Sequence, residues 1–118
     1  MIQIPLELYP QQSLSIVLGD SVWDIALRYA DVSTLIEPVM LVTISKDGVK
    51  LVDSQRAIHG VAVFWDPSIN PDDTSNFMFL TPDGSYPMWN KFDDQGGHVL
   101  LWMTADELAE LRNTAQVI

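Results

Sequence analysis

From Leu14 to Tyr29 the chain alternates apolar and polar side chains in two successive runs, and this period of two restricts its fold more than any other feature. Leu14, Ile16 and Leu18 share one face of the first run. Trp23, Ile25, Leu27 and Tyr29 share one face of the second, with Asp24, Ala26 and Arg28 on the other. Gly19-Asp20-Ser21 lies between the runs and supplies a tight turn, so the pair reads as a β-hairpin.

The same pattern continues along the chain. After an interruption at Glu37-Pro38, Val39 to Ser45 is dense in Val, Ile and Leu. Lys46-Asp47-Gly48 is a turn signal, and Val49 to Val52 returns as the other arm of a second hairpin. Ala57 to Trp65 is a further strand candidate, with Val61, Val63 and Trp65 on one side and Ala62 and Phe64 on the other. Asp66 to Asn76 has no periodic apolar face and reads as loop. Phe77 to Leu80 is a short strand closed by Pro82-Asp83-Gly84, and Val99 to Met103 is the last strand. Thr104-Ala105-Asp106-Glu107 then forms a capping box ahead of Leu108 and Leu111, which recur at helical spacing. Asp106 and Glu107 near the start and Arg112 further on suit the helix dipole. These signals predict one mainly β domain over residues 1–118: a small antiparallel barrel or sandwich with one short C-terminal helix.

Composition narrows the function. A chain of 118 residues can bury enough surface to fold without covalent staples. It has no cysteine, which removes disulfides, thiolate metal sites and thiol nucleophiles. Sixteen acids against six Lys and Arg give a net charge of −10, which repels phosphate backbones and favours basic partners. No signal peptide and no run of membrane-spanning length is visible, so neither nucleic acid nor membrane contact is expected of the folded protein.

No catalytic, cofactor or metal residue is expected from the sequence. His59 and His98 lack a second histidine at metal spacing, and no Gly-x-Ser-x-Gly nucleophile turn is present. Asp72-Asp73 and Asp93-Asp94 lack the spacing of a calcium loop and read as solvated loop acids. Gly96-Gly97 lacks the lysine and helix start of a phosphate loop. Trp23, Trp65 and Trp102 fall at core-facing parity. Trp89 lies in the aromatic-rich segment Tyr86 to Phe92, which suits an interface as well as a core. The N-terminal arm alternates Ile2, Ile4, Leu6 and Leu8, a pattern able to add a strand to a neighbour's sheet or to its own. The candidate interface residues are therefore Ile2, Ile4, Leu6, Tyr86, Met88, Trp89 and Phe92, with the Asp66–Asn76 loop beside them.

Several of these segments, taken in order, resemble the plug protein of contractile-tailed (cyanophage-type) phage baseplates. The similarity is carried by Ile4-Pro5-Leu6, Pro10-Gln11-Gln12, Gly19 and the Trp23–Tyr29 strand with its Leu27-Arg28-Tyr29. It continues in Val42-x-Ile44-x-x-Asp47-Gly48-x-x-Leu51-Val52, Asn76-Phe77-x-Phe79-Leu80 and Glu107-Leu108. Met40 stands near a position where that family's second hairpin begins with tryptophan. The resemblance implies a structural protein of the virion, made in the host cytoplasm and placed near the central hub of the tail, with no catalysis and no cofactor. Its implied partners are hub and tape-measure proteins and copies of itself. Two other readings stay open from the residues alone: an acidic inhibitor or immunity-type binding module, and a carbohydrate-active β enzyme.

Overall fold

A computed structural model describes residues 1–31, 38–93 and 95–117, with side chains as far as residue 112. Glu37 of the predicted interruption and Asp94 of the second acid pair lie outside the described residues. The strands are β1 (Ile2–Gln3), β2 (Gln11–Leu18), β3 (Ser21–Ala30), β4 (Val39–Lys46), β5 (Val49–Arg56), β6 (Asn76–Leu80) and β7 (Val99–Met103), followed by α1 (Ala105–Val117). A 3-10 turn occupies Trp89–Lys91.

The strands form two antiparallel sheets, β2-β3-β4-β5 and β1-β7-β6. They do not close on one another, so of the two predicted architectures the sandwich is the one adopted. In the four-stranded sheet the register aligns Leu14 with Ile25 and Ile25 with Ile44 on the inner face. The outer face carries small polar groups such as Ser13, Ser15, Thr43 and Ser45, which accounts for the clean alternation of β2 and β3. The second sheet differs. Phe77, Phe79, Leu100 and Trp102 belong to the main core, whereas Met78 and Met103 form a second cluster with Ala62 and Leu108 of the helix. A sheet covered on both faces needs apolar residues at every position, hence the unbroken runs Phe77–Leu80 and Val99–Met103.

The sheets meet at three rings. Trp23 of β3 stacks on Phe64 (centroids 6.0 Å, 21° between planes) and receives Phe77 of β6 edge-on (5.2 Å, 76°); Phe64 and Phe77 are also edge-to-face at 5.8 Å. The Trp23 indole N–H donates to the Leu18 carbonyl at 3.3 Å, so the ring enters the core with its polar atom satisfied.

One strand expectation changes. Ala57 to Trp65 is not a strand: it makes only isolated bridges, His59 with Phe79 and Ala62 with Met78. Gly60 turns the chain at φ +73°, which breaks the parity read from the sequence. Ala62, Val63 and Phe64 go inward, and Trp65 is 69 % exposed rather than core-facing. Asn76 stands in for the missing ladder, its carbonyl accepting from the Phe64 N–H (2.9 Å) and its amide donating to the Phe64 carbonyl (3.0 Å). The capping box is present as expected: the Glu107 N–H donates to Thr104 Oγ1 (3.3 Å) and the Thr104 N–H to Glu107 Oε1 (3.0 Å).

The edges of the four-stranded sheet are unlike. β5 carries Lys50, Asp53 and Arg56 and is kinked at Ser54 (φ 51°). β2 pairs only with β3 among the described residues, and none of its eight residues is charged or proline.

Truncating Phe77 to Ala opens the junction of the two sheets. The expected loss is about 3–5 kcal/mol of folding stability, read as a lower urea midpoint with an unchanged slope.

Candidate interaction surface

The predicted contact residues divide by depth. Ile2 and Tyr86 are exposed, and Leu6, Met88 and Trp89 are partly buried against the main core. Ile4 (1 % exposed) and Phe92 are core residues of the folded chain, which corrects their place among surface contacts. The reason for Ile4 is pairing: Ile2 and Gln3 align with Trp102 and Leu101, and the Ile4 N–H donates to the Leu100 carbonyl at 2.9 Å, so the arm extends its own sheet. Phe92 follows the 3-10 turn, which folds it inward before Gly96-Gly97 returns the chain to β7. Gly96 is needed there because a Cβ would lie 2.5 Å from the Lys91 carbonyl oxygen.

The polar side chains of the loops are committed to holding backbone. His59 Nδ1 accepts from the Thr81 N–H (2.9 Å), and buried His98 accepts through Nδ1 from the Met88 N–H (3.1 Å). Burial, with the Lys91 charge nearby, holds the His98 imidazole below its ordinary range and therefore neutral. Asp66 caps its own turn through Ser68. Asn70, Asp73 and Ser75 bond one another, and Lys46 reaches across from β4 to Asn70 Oδ1 and Asp73 Oδ2, both at 3.1 Å. Partial burial opposes ionisation of Asp73. Hydrogen bonds from the Ser75 N–H and hydroxyl, Asn70 and Lys46 outweigh it and lower the pKa to about 2. No group of three or more His, Asp or Glu with metal-site geometry occurs among the described residues.

The surface feature that stands out is apolar. Exposed Ile58, Val61 and Trp65 line one shallow concavity with Gln55, Arg56 and Val63 beside β5. The Arg56 guanidinium lies 4.2 Å from the centre of the Tyr86 ring, which joins a predicted contact residue to this patch. Trp, Tyr and Arg are the residues that dominate interface energetics. Reading 57–65 as a strand hid the patch, because it placed Trp65 inside. The glycine at 60 was the available signal against that reading.

The sequence model of one protein family, described as cyanophage baseplate Pam3 plug gp18, matches residues 1–106. The chain belongs to this family. The match runs through all seven described strands and into the first turn of α1, so it includes the two sheets, the aromatic junction and the Trp65 patch. No curated protein matches the chain.

Two pH effects follow from the plug family member's loop network. An NMR titration should place the His98 midpoint below the ordinary 6.5, and because the unfolded chain takes up this proton first, stability should fall as pH drops below that value. The Asp73 contribution is fully present above its ordinary value of 3.8 and is lost as pH falls through about 2. Asp73→Ala therefore costs about 1 kcal/mol at neutral pH, allowing for solvent screening of this partly exposed group. The difference from the parent shrinks in urea melts as pH is lowered from 3.8 toward about 2.

Proposed function

We propose that this chain is a structural protein of a phage virion, a plug at the baseplate end of the tail. The observation that carries the reading is the family match over residues 1–106. The fold agrees with it in kind. The polar side chains that might have served chemistry are occupied in fixing loops, and the chain is strongly acidic and exposes an aromatic patch at Trp65 and Tyr86.

In this reading the chain performs no catalysis and needs no cofactor. It is made in the host cytoplasm, joins the tail near the central hub, and contacts hub and tape-measure proteins as well as copies of itself. The acidic surface favours basic faces on those neighbours through electrostatic complementarity. Ile2, Leu6, Tyr86, Met88 and Trp89 are the proposed contact residues, together with the patch that Tyr86 joins.

Peptide mass fingerprinting of purified virions, followed by cryo-microscopy of the tail, should find the chain at the baseplate. Its absence from virions that contain the other tail proteins would overturn the proposal.

A further inference from the structure

The Arg56–Trp65 patch has a counterpart on the same molecule. The connection between β1 and β2 exposes Leu8 (45 %) and Tyr9 (61 %) next to exposed Glu7. One side chain braces this corner. The Gln12 side chain accepts from the Glu7 N–H at 2.9 Å and donates to the carbonyls of Glu7 (2.8 Å) and Tyr9 (3.2 Å). A loop braced in this way, holding two large apolar side chains in water, is pre-organised for contact.

The charges are complementary. Of the six cations, Lys46 and Lys50 form ion pairs with Asp73 and Asp53. Arg28 and Arg56 have no carboxylate within ion-pair distance among the described residues, in a chain with ten excess negative charges. Both align with Leu41 in one cross-strand row, so they share the outer face of the sheet. The Arg56 Nε is buried without a hydrogen-bond partner. Glu7 likewise enters no ion pair among the described residues.

The two features sit on opposite edges of one sheet. The corner leads into β2, the patch adjoins β5, and three strand spacings, about 14 Å, separate those strands. One molecule cannot satisfy its own pair, but neighbours can. We propose that copies of this chain associate head to tail, with Glu7, Leu8 and Tyr9 of one copy seated in the Arg56–Trp65 concavity of the next. The carboxylate meets the guanidinium, and the apolar side chains cover Ile58, Val61 and Trp65. A contact between unlike surfaces repeats, and it closes into a ring when the rotation per copy divides a full turn. The inference deepens the plug reading and rests on it for its setting, since a ring suits the end of a tube.

Sedimentation velocity and native mass measurement on the isolated full chain test it. The parent should form closed oligomers. Glu7→Arg and Arg56→Glu should each weaken association at least tenfold, and the double variant should restore it. Leu8→Ser with Tyr9→Ser, at exposed positions, should dissociate the oligomer while the monomer keeps a cooperative thermal melt that no longer depends on protein concentration. A monomeric parent, an oligomer indifferent to these changes, or a double variant as weak as the singles would overturn the inference. A chain present in virions yet monomeric in isolation sinks this inference alone, whereas absence from virions sinks the plug reading alone.

Discussion

The contact among Trp23, Phe64 and Phe77 is the one on which the rest of the structure depends. Each ring comes from a different part of the chain: a central strand of the large sheet, the irregular segment after β5, and an edge strand of the small sheet. The strands of one sheet do not pair with those of the other, so the layers are held by side-chain packing together with the segment after β5, whose backbone bonds both β4 (Ala57 N–H to the Met40 carbonyl) and β6 (Val63 N–H to the Phe77 carbonyl). Edge-to-face and stacked geometries fix the rings in angle as well as distance. The same junction determines what is left outside. With Phe64 turned in, Trp65 must turn out.

Lys46 adds a polar brace to this apolar joint. Its ammonium lies 5.5 Å from the Trp23 ring centre while bonding Asn70 and Asp73, so the long loop before β6 is tied to the face of the core indole. Elsewhere a histidine nitrogen or an asparagine amide performs the same office for another loop. A protein organised in this way invests its polar side chains in shape. That suits a part whose task is to fill a place in an assembly.

Much of this was legible in the sequence because two signals are local. Period-two alternation in β2 and β3 needs one wet face and one dry one, and the structure provides both. The capping box needs only its own four residues. What failed was non-local. Parity through Ala57–Trp65 held only if the backbone stayed extended, and the turn at Gly60 ended that. The alternation of Ile2, Ile4, Leu6 and Leu8 could not tell a partner's sheet from the chain's own; the bond from Ile4 to Leu100, almost a full chain length away, decides it. Exposure of the Arg56 patch also depends on tertiary placement, since Ile58, Val61 and Trp65 have the composition of a core.

The bare edge at β2 has a consequence for how the protein behaves as a solute. Eight uncharged residues with open backbone groups invite strand-to-strand adhesion, and most proteins guard such an edge with a lysine or a proline. Here the safeguard is delocalised: the surplus of negative charge opposes unspecific approach of one β2 edge to another. Repulsion of that kind reaches only about 8 Å at physiological ionic strength and shortens as salt is added. Colloidal stability is thus greatest in dilute buffer and declines toward the salt concentrations at which many proteins are stored.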